Sequence, residues 1–354
     1  HMGLLHLRNT RFIEGVEVVG ATDKSKKGLS EAKRFGIRNL YDDYRELLKL
    51  ADLDAVVISL PNFLHEESVT LAAERGLHIF IEKPLARTVS ECENIRRAAQ
   101  RNAVKLAIGH NYRFFDHVQK LKAQVDKGTL GDVEIANFEH FVNGPFAHPL
   151  EPVPIQDWWL DPRLSGGGVL LDQGYHLVDL FRWFFPDPEV LYVNLGYRYN
   201  LPMEDSAIVA LKSRHTSTRG IVSVGWFQKM LFPHFNFRLN LQGTTRFLST
   251  DHFVPRNLYF YAAKEALKNT LRRIAGRKIT PLSYTYYYTS YFRELRHFFE
   301  CIQTDFIPNS LASVVDGLEA IRIIEESYKF ANRITRETSY LTKSNERGLE
   351  DASH

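Results

Sequence analysis

One segment of the chain places a carboxylate and an imidazole inside an otherwise apolar stretch. Residues 166–179 read Gly-Gly-Gly-Val-Leu-Leu-Asp-Gln-Gly-Tyr-His-Leu-Val-Asp. Three glycines allow the backbone to approach a ligand closely, and the apolar run after them predicts a helix. In a helix Asp172 and His176 share a face, and the carboxylate can fix the imidazole tautomer for general acid/base chemistry. The alternative is a buried histidine that a neighbouring aspartate satisfies.

A lysine follows a predicted buried strand earlier in the chain. Short apolar runs at 56–58 and 78–81 flank a helical pattern at 66–74, which predicts a strand–helix–strand unit in a parallel sheet. Ligands bind such sheets at the carboxyl ends of the strands. Residues 61–62 and the tripeptide Glu82-Lys83-Pro84 fall there. Lys83 is therefore a candidate ligand contact, and an ordinary ion pair at a strand end is the alternative.

Taken in their order along the chain, these motifs resemble the GFO/IDH/MocA oxidoreductases, the family of glucose-fructose oxidoreductase and inositol dehydrogenase. The motifs that carry the resemblance are residues 60–65, 82–84, 109–114, 128–131, 157–159, 166–179, Asp205 and 316–317. Each motif is weak alone, and together they extend over nearly the whole chain. The resemblance implies an α/β protein with an N-terminal Rossmann-type parallel sheet in residues 1–113. A C-terminal α+β domain, 114–354, would bind substrate and oligomerise through a large, mostly antiparallel sheet.

The resemblance also implies an activity, which is hydride transfer between NAD(P) and a secondary alcohol or ketone of a sugar, sugar derivative or cyclic polyol. Lys83, Asp172 and His176 would be catalytic, and family members differ in whether the lysine or the histidine takes the proton. The expected cofactor contacts are Met2, Gly3, Asp23, Leu60, Pro61, Asn62, His65, Glu82, Lys83, Asn111 and Arg113. The expected substrate contacts are Lys83, Trp158, Trp159, Asp172, His176 and Tyr291.

The beginning of the chain lacks the apolar strand that opens a dinucleotide-binding fold. Gly3 can be the third glycine of Gly-x-Gly-x-x-Gly, followed by a helix, so we expect the first strand and two glycines to be missing from this sequence. The alternative is that His1-Met2 is a cloning remnant. Asp23 ends the next predicted strand, where the ribose-binding acid belongs. A carboxylate there favours NAD, because it repels the 2′-phosphate of NADP. NADP is the alternative cofactor.

Composition bounds the remaining function classes. A length of 354 residues favours two domains, and 44% hydrophobic with 25% charged residues is ordinary for a globular protein. A net charge of +3 gives no indication of nucleic-acid binding. Cys92 and Cys301 form neither a disulfide framework nor a metal-ligand spacing, so we expect no metal and a cytoplasmic location. No apolar run of about 18 residues predicts a membrane span, and a homodimer or homotetramer is expected.

Two other classes of protein fit parts of the chain. A non-catalytic dinucleotide-binding regulator of the same fold would need none of Lys83, Asp172 and His176. A metal-dependent hydrolase would use Asp172, His176 and a further histidine, but the sequence has no His-Glu-x-x-His or comparable spacing. The residues therefore favour the oxidoreductase.

A basic amphipathic pattern covers residues 262–278. Ala263, Leu267, Leu271 and Ile274 recur at helical spacing among six lysines and arginines. Such a helix can lie on a membrane or on an acidic partner, although an ordinary solvated helix is the favoured interpretation and no membrane partner is expected. The aromatic run at 284–288 is either an interface or part of a substrate wall.

Overall fold

The computed structural model describes residues 2–146, 156–227, 235–281, 287–304 and 307–351, without the side chains of 146, 235 and 335–351. Contacts divide the chain into two compact units. Unit 1 comprises 1–129, 164–166 and 248–321, and unit 2 comprises 130–163, 167–247 and 322–354. The domain boundary expected after residue 113 stays a prediction, because these units follow spatial contacts and each combines separate stretches of the chain.

The helices and strands alternate in the first part of the chain. In order they are α1 (Met2–Thr10), β1 (Gly20–Thr22), α2 (Lys26–Arg34), β2 (Asn39–Tyr41), α3 (Tyr44–Leu47), β3 (Ala55–Ile58), α4 (His65–Glu74), β4 (His78–Glu82), α5 (Val89–Arg101), β5 (Leu106–Gly109) and α6 (Asp116–Asp126). The later elements are β6 (Val133–Val142), α7 (Pro162–Ser165), α8 (Tyr175–Phe184), β7 (Pro188–Gly196), β8 (Ser206–Ser213), β9 (Arg219–Trp226), β10 (Phe235–Gly243), β11 (Phe247–Ser249), α9 (Leu258–Ile274), α10 (Thr289–Thr304), β12 (Ala312–Ser313) and α11 (Val314–Asp351).

Unit 1 contains the parallel strands. β3, β4 and β5 are parallel neighbours and β12 runs antiparallel to β5, whereas β1 and β2 form a separate parallel pair. Among the described residues β1 and β3 are not paired with each other. Ile79, Phe80 and Ile81 in β4 are wholly buried, as expected for a central strand covered on both faces. The predicted Rossmann-type parallel sheet is therefore confirmed.

Helix α5 shows how local sequence sets an element. Its buried residues include Cys92, Ile95 and Ala99, which recur at helical spacing in the sequence. Thr88 caps the helix by accepting the Glu91 N–H over 3.2 Å. The Glu91 carboxylate in turn accepts the N–H of Arg87 at 2.9 Å, so the start of the helix is held by two local bonds.

Unit 2 contains a six-stranded, mostly antiparallel sheet in the order β11-β10-β6-β9-β8-β7, in which only the β6–β9 pairing is recorded as parallel. One face packs on α8, where Phe138 meets Phe181 edge-on at 5.7 Å. The other face carries Ile135, Ile208 and Ile221, which are 50%, 46% and 43% exposed. The predicted large sheet with one buried face is confirmed.

Two kinds of feature, a membrane-spanning helix and a metal-ligand cluster, are absent from the described residues. None of their helices combines the length and the apolarity that crossing a membrane requires. Across the same residues, no set of three or more histidine, cysteine, aspartate or glutamate side chains is arranged to hold a metal ion.

Candidate active site

The parallel strands of unit 1 deliver several of the predicted site residues to one edge. Pro61 and Asn62 follow β3, half-buried Lys83 follows β4, and Asn111 follows β5. Because these strands are parallel neighbours, their carboxyl ends share this edge. The Asn62 amide donates to the Ser165 carbonyl at 2.9 Å, and the Lys83–Pro84 peptide bond is cis.

His65 connects the two loops on either side of this edge. Its Nε2 lies 2.9 Å from the Leu60 carbonyl, and its Nδ1 lies 2.9 Å from the Pro84 carbonyl. The ring is wholly buried, and burial lowers the pKa of His65. The ring therefore supports the loop that carries Lys83, and the cofactor contact expected of His65 stays a prediction.

Glu82 also points into the interior of unit 1. Its Oε1 lies 2.6 Å from Nε2 of His6 in α1, and both side chains are buried. Glu294 in α10 is also buried, and neither of its carboxyl oxygens has a hydrogen-bond partner among the described residues. Burial, followed by the charge of Glu82, raises the pKa of Glu294 well above its ordinary value. Neither His6 nor Glu294 belongs to a motif that sequence reasoning assigned to the site.

Asn111 and Arg113 attach the end of β5 to later helices. The Asn111 amide donates to Ser290 Oγ at 3.1 Å, and the Arg113 guanidinium lies 3.4 Å from the Asp316 carboxylate. Both side chains are almost completely buried. Tyr291 lies edge-on to His6 at 6.3 Å, and burial raises its pKa well above the ordinary value. These contacts are internal to unit 1.

Asp23 lies exposed just past β1, where a ribose-binding acid was expected. Its Oδ1 accepts hydrogen bonds of 2.7 Å from both the backbone N–H and the hydroxyl of Ser25. A Cβ on Gly28 would lie 2.2 Å from Asp23 Oδ2, so the missing side chain at Gly28 makes room for the carboxylate. An exposed, oriented carboxylate is an acceptor suited to two vicinal hydroxyl groups, so this corner fits the ribose of a dinucleotide.

The surroundings of Gly3 are more open than the third glycine of a dinucleotide motif requires. The third glycine of a dinucleotide motif permits close packing of helix on strand. A Cβ on Gly3 would meet only Ser59 Cβ within 4 Å, at 3.9 Å, which is an ordinary contact. Packing among the described residues therefore does not require glycine at this position. Met2 begins α1 and is half-buried.

In unit 2 the triple glycine packs against protein groups. A Cβ on Gly167 would lie 2.3 Å from the Tyr328 hydroxyl, and one on Gly168 would lie 2.1 Å from the Glu204 carbonyl oxygen. The expectation that these two glycines admit a ligand is therefore corrected, because Tyr328 and Glu204 fill the adjacent space. Gly166 has a φ of +91°, which favours glycine for conformational reasons.

The Glu204 carboxylate fixes the loop that follows. It accepts the N–H of Gly168 at 3.1 Å, the N–H of Leu170 at 3.0 Å and the Tyr328 hydroxyl at 2.7 Å. Burial raises the pKa of Glu204, and the three donors oppose that shift. Glu204 thus holds the start of the segment that carries Asp172, a role that sequence reasoning missed.

Asp172 and His176 do not share one regular helix. Leu170–Gly174 forms a single π-helical turn, and α8 begins only at Tyr175. A π-turn inserts extra backbone into the helix and is frequent at functional sites, so the simple four-residue spacing argument is corrected. Asp172 is half-buried and His176 is 4% exposed.

A buried polar chain holds Asp172 from the side of the sheet. The Gln173 amide nitrogen donates to Asp172 Oδ2 at 2.7 Å, and Gln173 Oε1 lies 3.0 Å from Nε2 of His140 in β6. The other ring nitrogen of His140 lies 3.2 Å from the Asn236 carbonyl. Both neighbours of this wholly buried ring are oxygen atoms that can accept a hydrogen bond from it. The sequence analysis did not single out His140 or Gln173.

The two predicted aromatic substrate contacts lie on a short helical turn, Asp157–Leu160. The Trp158 indole donates to Gln156 Oε1 at 2.5 Å, and Trp159 packs edge-on against Trp226 at 6.1 Å. Both are half-buried. Trp159 thus takes part in packing within unit 2, while the substrate contacts themselves stay predictions.

Two family models match the chain. The model for the GFO/IDH/MocA oxidoreductase family with an NAD-binding Rossmann fold matches residues 1–110, and the model for the GFO/IDH/MocA C-terminal domain matches residues 118–247. Both halves of the chain, including the strand edge with Lys83 and the segment with Asp172 and His176, are therefore assigned to the same family.

Similar proteins agree with this assignment. Uncharacterized oxidoreductase YrbE of Bacillus subtilis is 25% identical over 329 residues, covering 91% of this chain and 89% of that protein. Levoglucosan dehydrogenase of Pseudarthrobacter phenanthrenivorans is 33% identical over 43% of this chain and 38% of its own length. D-glucoside 3-dehydrogenase of Escherichia coli is 28% identical over 51% of this chain and 49% of its own. The matched region thus spans half or less of these two dehydrogenases.

Solved structures show the same fold. Myo-inositol 2-dehydrogenase from Lactobacillus plantarum has a TM-score of 0.75 at 19% identity, and the match covers 94% of each chain. A levoglucosan dehydrogenase in complex with NADH and levoglucosan has a TM-score of 0.71 at 18% identity over 93% of each chain. Motifs, family models and fold lead to one conclusion: the chain belongs to the GFO/IDH/MocA family of oxidoreductases, whose N-terminal domain is an NAD-binding Rossmann fold.

Proposed function

We propose that this protein is an NAD-dependent dehydrogenase or reductase acting on a secondary alcohol or ketone of a sugar, sugar derivative or cyclic polyol. The observation that carries the proposal is that a chain of this family contains all three of the residues Lys83, Asp172 and His176. Relatives named myo-inositol 2-dehydrogenase and 1,5-anhydro-D-fructose reductase support the substrate class.

NAD is the proposed cofactor, with NADP as the less favoured one. Asp23 supports this choice, because its exposed carboxylate can accept from both ribose hydroxyls and would repel a 2′-phosphate. Further contacts are proposed from the first turn of α1, at Met2 and Gly3, and from the strand edge at Leu60, Pro61 and Asn62. His65, Glu82, Asn111 and Arg113 would hold that edge in place through their buried contacts.

Residues of this chain would transfer the proton and stabilise the charge that develops during the reaction. Bound NAD supplies the hydride acceptor at its nicotinamide ring. His176 takes the proton of the substrate hydroxyl as general base and returns it in the reductive direction. Lys83 is the proposed source of positive charge that stabilises the alkoxide form of the substrate, and Asp172 is proposed to orient His176 and to stabilise its protonated form. Trp158, Trp159 and Tyr291 are the proposed substrate contacts.

The exposed face of the unit 2 sheet is the proposed subunit interface. Ile135, Ile208 and Ile221 lie on neighbouring strands β6, β8 and β9, and each is more than 40% exposed. Large apolar side chains exposed on one face of a sheet can form an association site. Light scattering would test it: a dimer or tetramer that becomes smaller in Ile208→Lys supports the proposal, and an unchanged mass contradicts it.

The first experiment is a fluorescence titration of the full chain with NADH and NADPH, following energy transfer from tryptophan. We expect saturable NADH binding that is much tighter than NADPH binding. Turnover is then measured on a panel of glycosides, anhydrosugars and inositols. The non-catalytic regulator would be favoured if the protein binds NADH, turns over no member of the panel, and His176→Ala binds NADH as the unmutated protein does.

The second experiment separates the roles of the residues. His176→Ala should lower kcat by about 10²-fold or more, the usual scale for a lost acid/base, with NADH affinity retained. Lys83→Ala should also lower kcat, and the two losses need not add. His215→Ala is the matched control, because His215 is a largely exposed histidine paired with Asp187. Near-normal turnover of His176→Ala would exclude the proposed role.

A further inference from the structure

Polar side chains attach helix α9 to the rest of unit 1. Asn269 is the only buried residue of this helix, and its side chain is bonded to the backbone carbonyl, the N–H and the hydroxyl of Thr280. The Arg272 guanidinium donates to Thr280 Oγ1 at 2.8 Å and to Asn269 Oδ1 at 3.1 Å. A hydroxyl contact of 3.4 Å joins Tyr261 to Asp116. Polar groups therefore attach this helix to the rest of unit 1.

The apolar side chains of the same helix face outward. Phe260 is 74% exposed, Leu267 62%, Leu271 59% and Ile274 79%. Their spacing of seven, four and three residues places them along one face of the helix. An ordinary surface helix buries its apolar stripe, so this arrangement is the reverse of the solvated helix that the sequence favoured. These four side chains, Phe260, Leu267, Leu271 and Ile274, are named the outward stripe. They form an exposed apolar patch of the kind that is typical of interaction sites.

Basic residues are concentrated in the segment that carries the outward stripe. Residues 264–278 contain six lysines and arginines and a single acid, Glu265, whereas the whole chain has a net charge of only +3. The positive charge of the protein is therefore concentrated here. Lys264 is exposed about one helical turn from Phe260 and Leu267, and Arg277 is exposed just after the helix ends; long basic side chains can extend from an apolar contact toward anionic groups.

The charge selects among the partners that an apolar stripe could take. A second copy of α9 packed on the stripe would bring two sets of basic residues together, which is unfavourable. An anionic lipid surface offers acyl chains to the stripe and negative headgroups to its flanks. We propose that α9 is an interfacial helix that docks the enzyme on anionic membranes, lying in the plane of the surface with the outward stripe in the headgroup region.

This docking does not depend on the proposed catalytic activity. A helix of 17 residues is about 25 Å long, so its stripe presents one continuous contact line to the surface. The contact would be reversible, because four apolar side chains and local charge give far weaker attachment than a membrane-spanning helix. The proposal replaces the expectation that the protein has no membrane partner.

The test is co-sedimentation of the full chain with vesicles of phosphatidylcholine alone and of phosphatidylcholine mixed with phosphatidylglycerol. We expect partition onto the mixed vesicles only, and loss of that partition at high salt. Leu267→Ser/Leu271→Ser should weaken partition by about tenfold or more. Lys264→Gln/Arg277→Gln should also weaken it by about tenfold, since each basic residue near such a surface contributes several-fold.

The matched control is Ile307→Ser/Val315→Ser, which removes two exposed apolar side chains elsewhere on unit 1 and should partition normally. Circular dichroism and NADH binding, which should be unchanged in all variants, verify folding and keep this proposal separate from the proposed function. No partition onto either vesicle, or equal partition onto both, would overturn it. A smaller particle mass for Leu267→Ser/Leu271→Ser would overturn it too, because a second copy would then cover the stripe.

Discussion

The hydroxyl of Tyr328 donates a 2.7 Å hydrogen bond to the buried carboxylate of Glu204, which also accepts the backbone N–H groups of Gly168 and Leu170. The long C-terminal helix α11 is thereby connected to the loop that precedes Asp172. Two of the three motif glycines are needed for this contact, because side chains at Gly167 and Gly168 would overlap with Tyr328 and Glu204. The glycine motif is thus a packing requirement of unit 2.

Tyr328→Phe should lower the free energy of unfolding by about 1–3 kcal/mol, because the buried Glu204 carboxylate loses a donor. Gly167→Ala should destabilise the protein, and less so when Tyr328 is already phenylalanine, since the hydroxyl 2.3 Å from the new Cβ is then absent. A urea-unfolding double-mutant cycle measures this coupling. Tyr259→Phe, at a 90% exposed tyrosine, is the control. Strictly additive losses would contradict the packing argument.

Gln173→Ala should impair the enzyme through Asp172. The substitution removes the amide that donates to Asp172 Oδ2 at 2.7 Å and faces His140 Nε2 at 3.0 Å. We expect kcat to fall by about tenfold, within the scale of a disturbed acid/base pair, with the substrate KM little changed. Gln242→Ala, at an exposed glutamine, is the control. An unchanged kcat, or a loss that appears only in KM, would show that Gln173 has no part in positioning Asp172 for the reaction.

His65→Leu should destabilise unit 1 by about 1–3 kcal/mol, because whichever of the Leu60 and Pro84 carbonyls accepts the ring N–H loses a buried donor. The loops around Lys83 should loosen, so NADH affinity should fall as well. His65→Gln keeps a donor and should recover part of both losses. Thermal unfolding and NADH titration measure the two effects, with His215→Leu as the exposed control. Stability and NADH affinity equal to those of the unmutated protein would exclude the supporting role.

His117 should make the protein sensitive to acid. Burial lowers the pKa of His117 to about 3, so the folded chain excludes a proton that the unfolded chain takes up near the ordinary value of 6.5. The stability it contributes is complete above pH 6.5 and is lost as the pH falls from there toward 3, at up to about 1.4 kcal/mol per pH unit.

Urea unfolding at pH 7.5 and pH 5 checks this expectation. The unmutated protein should lose more stability between the two pH values than His117→Gln does, because the variant no longer excludes a proton. His215→Gln, at a largely exposed histidine, should behave like the unmutated protein. Parallel losses in all three proteins would assign the acid sensitivity to other groups.

Local patterns in the sequence predicted much of the fold. The stripe of α5, the strand at β4 and the alternation along β6–β9 follow from residues adjacent in the chain, and the structure contains them. Strand lengths were less predictable: the expected strand at 16–22 is paired only over Gly20–Thr22. Its first residues have no neighbouring strand to pair with among the described residues. A local sequence pattern cannot indicate whether such a neighbour is present.

The surroundings of the candidate site could not be read from the sequence. Asp172, His176 and Lys83 stood out because their motifs are local. Glu204, Tyr328 and His140 did not, because each acts on a loop far away in sequence, and no spacing rule links such residues. The π-turn at Leu170–Gly174 was missed for the same reason, since Glu204 holds its first N–H from 34 residues away.

The order in which the chain is made has a consequence for the loop at Gly167 and Gly168. Glu204 lies 36 residues after Gly168, and Tyr328 lies 124 residues after Glu204. A nascent chain therefore synthesises the segment carrying Asp172 and His176 well before the residues that lock it are available. We expect a chain shortened to end before Tyr328 to be cleaved by proteases near Gly167, whereas protection equal to that of the full chain would show that the loop closes without α11. The loop that precedes Asp172 would thus close only after Tyr328 has been synthesised.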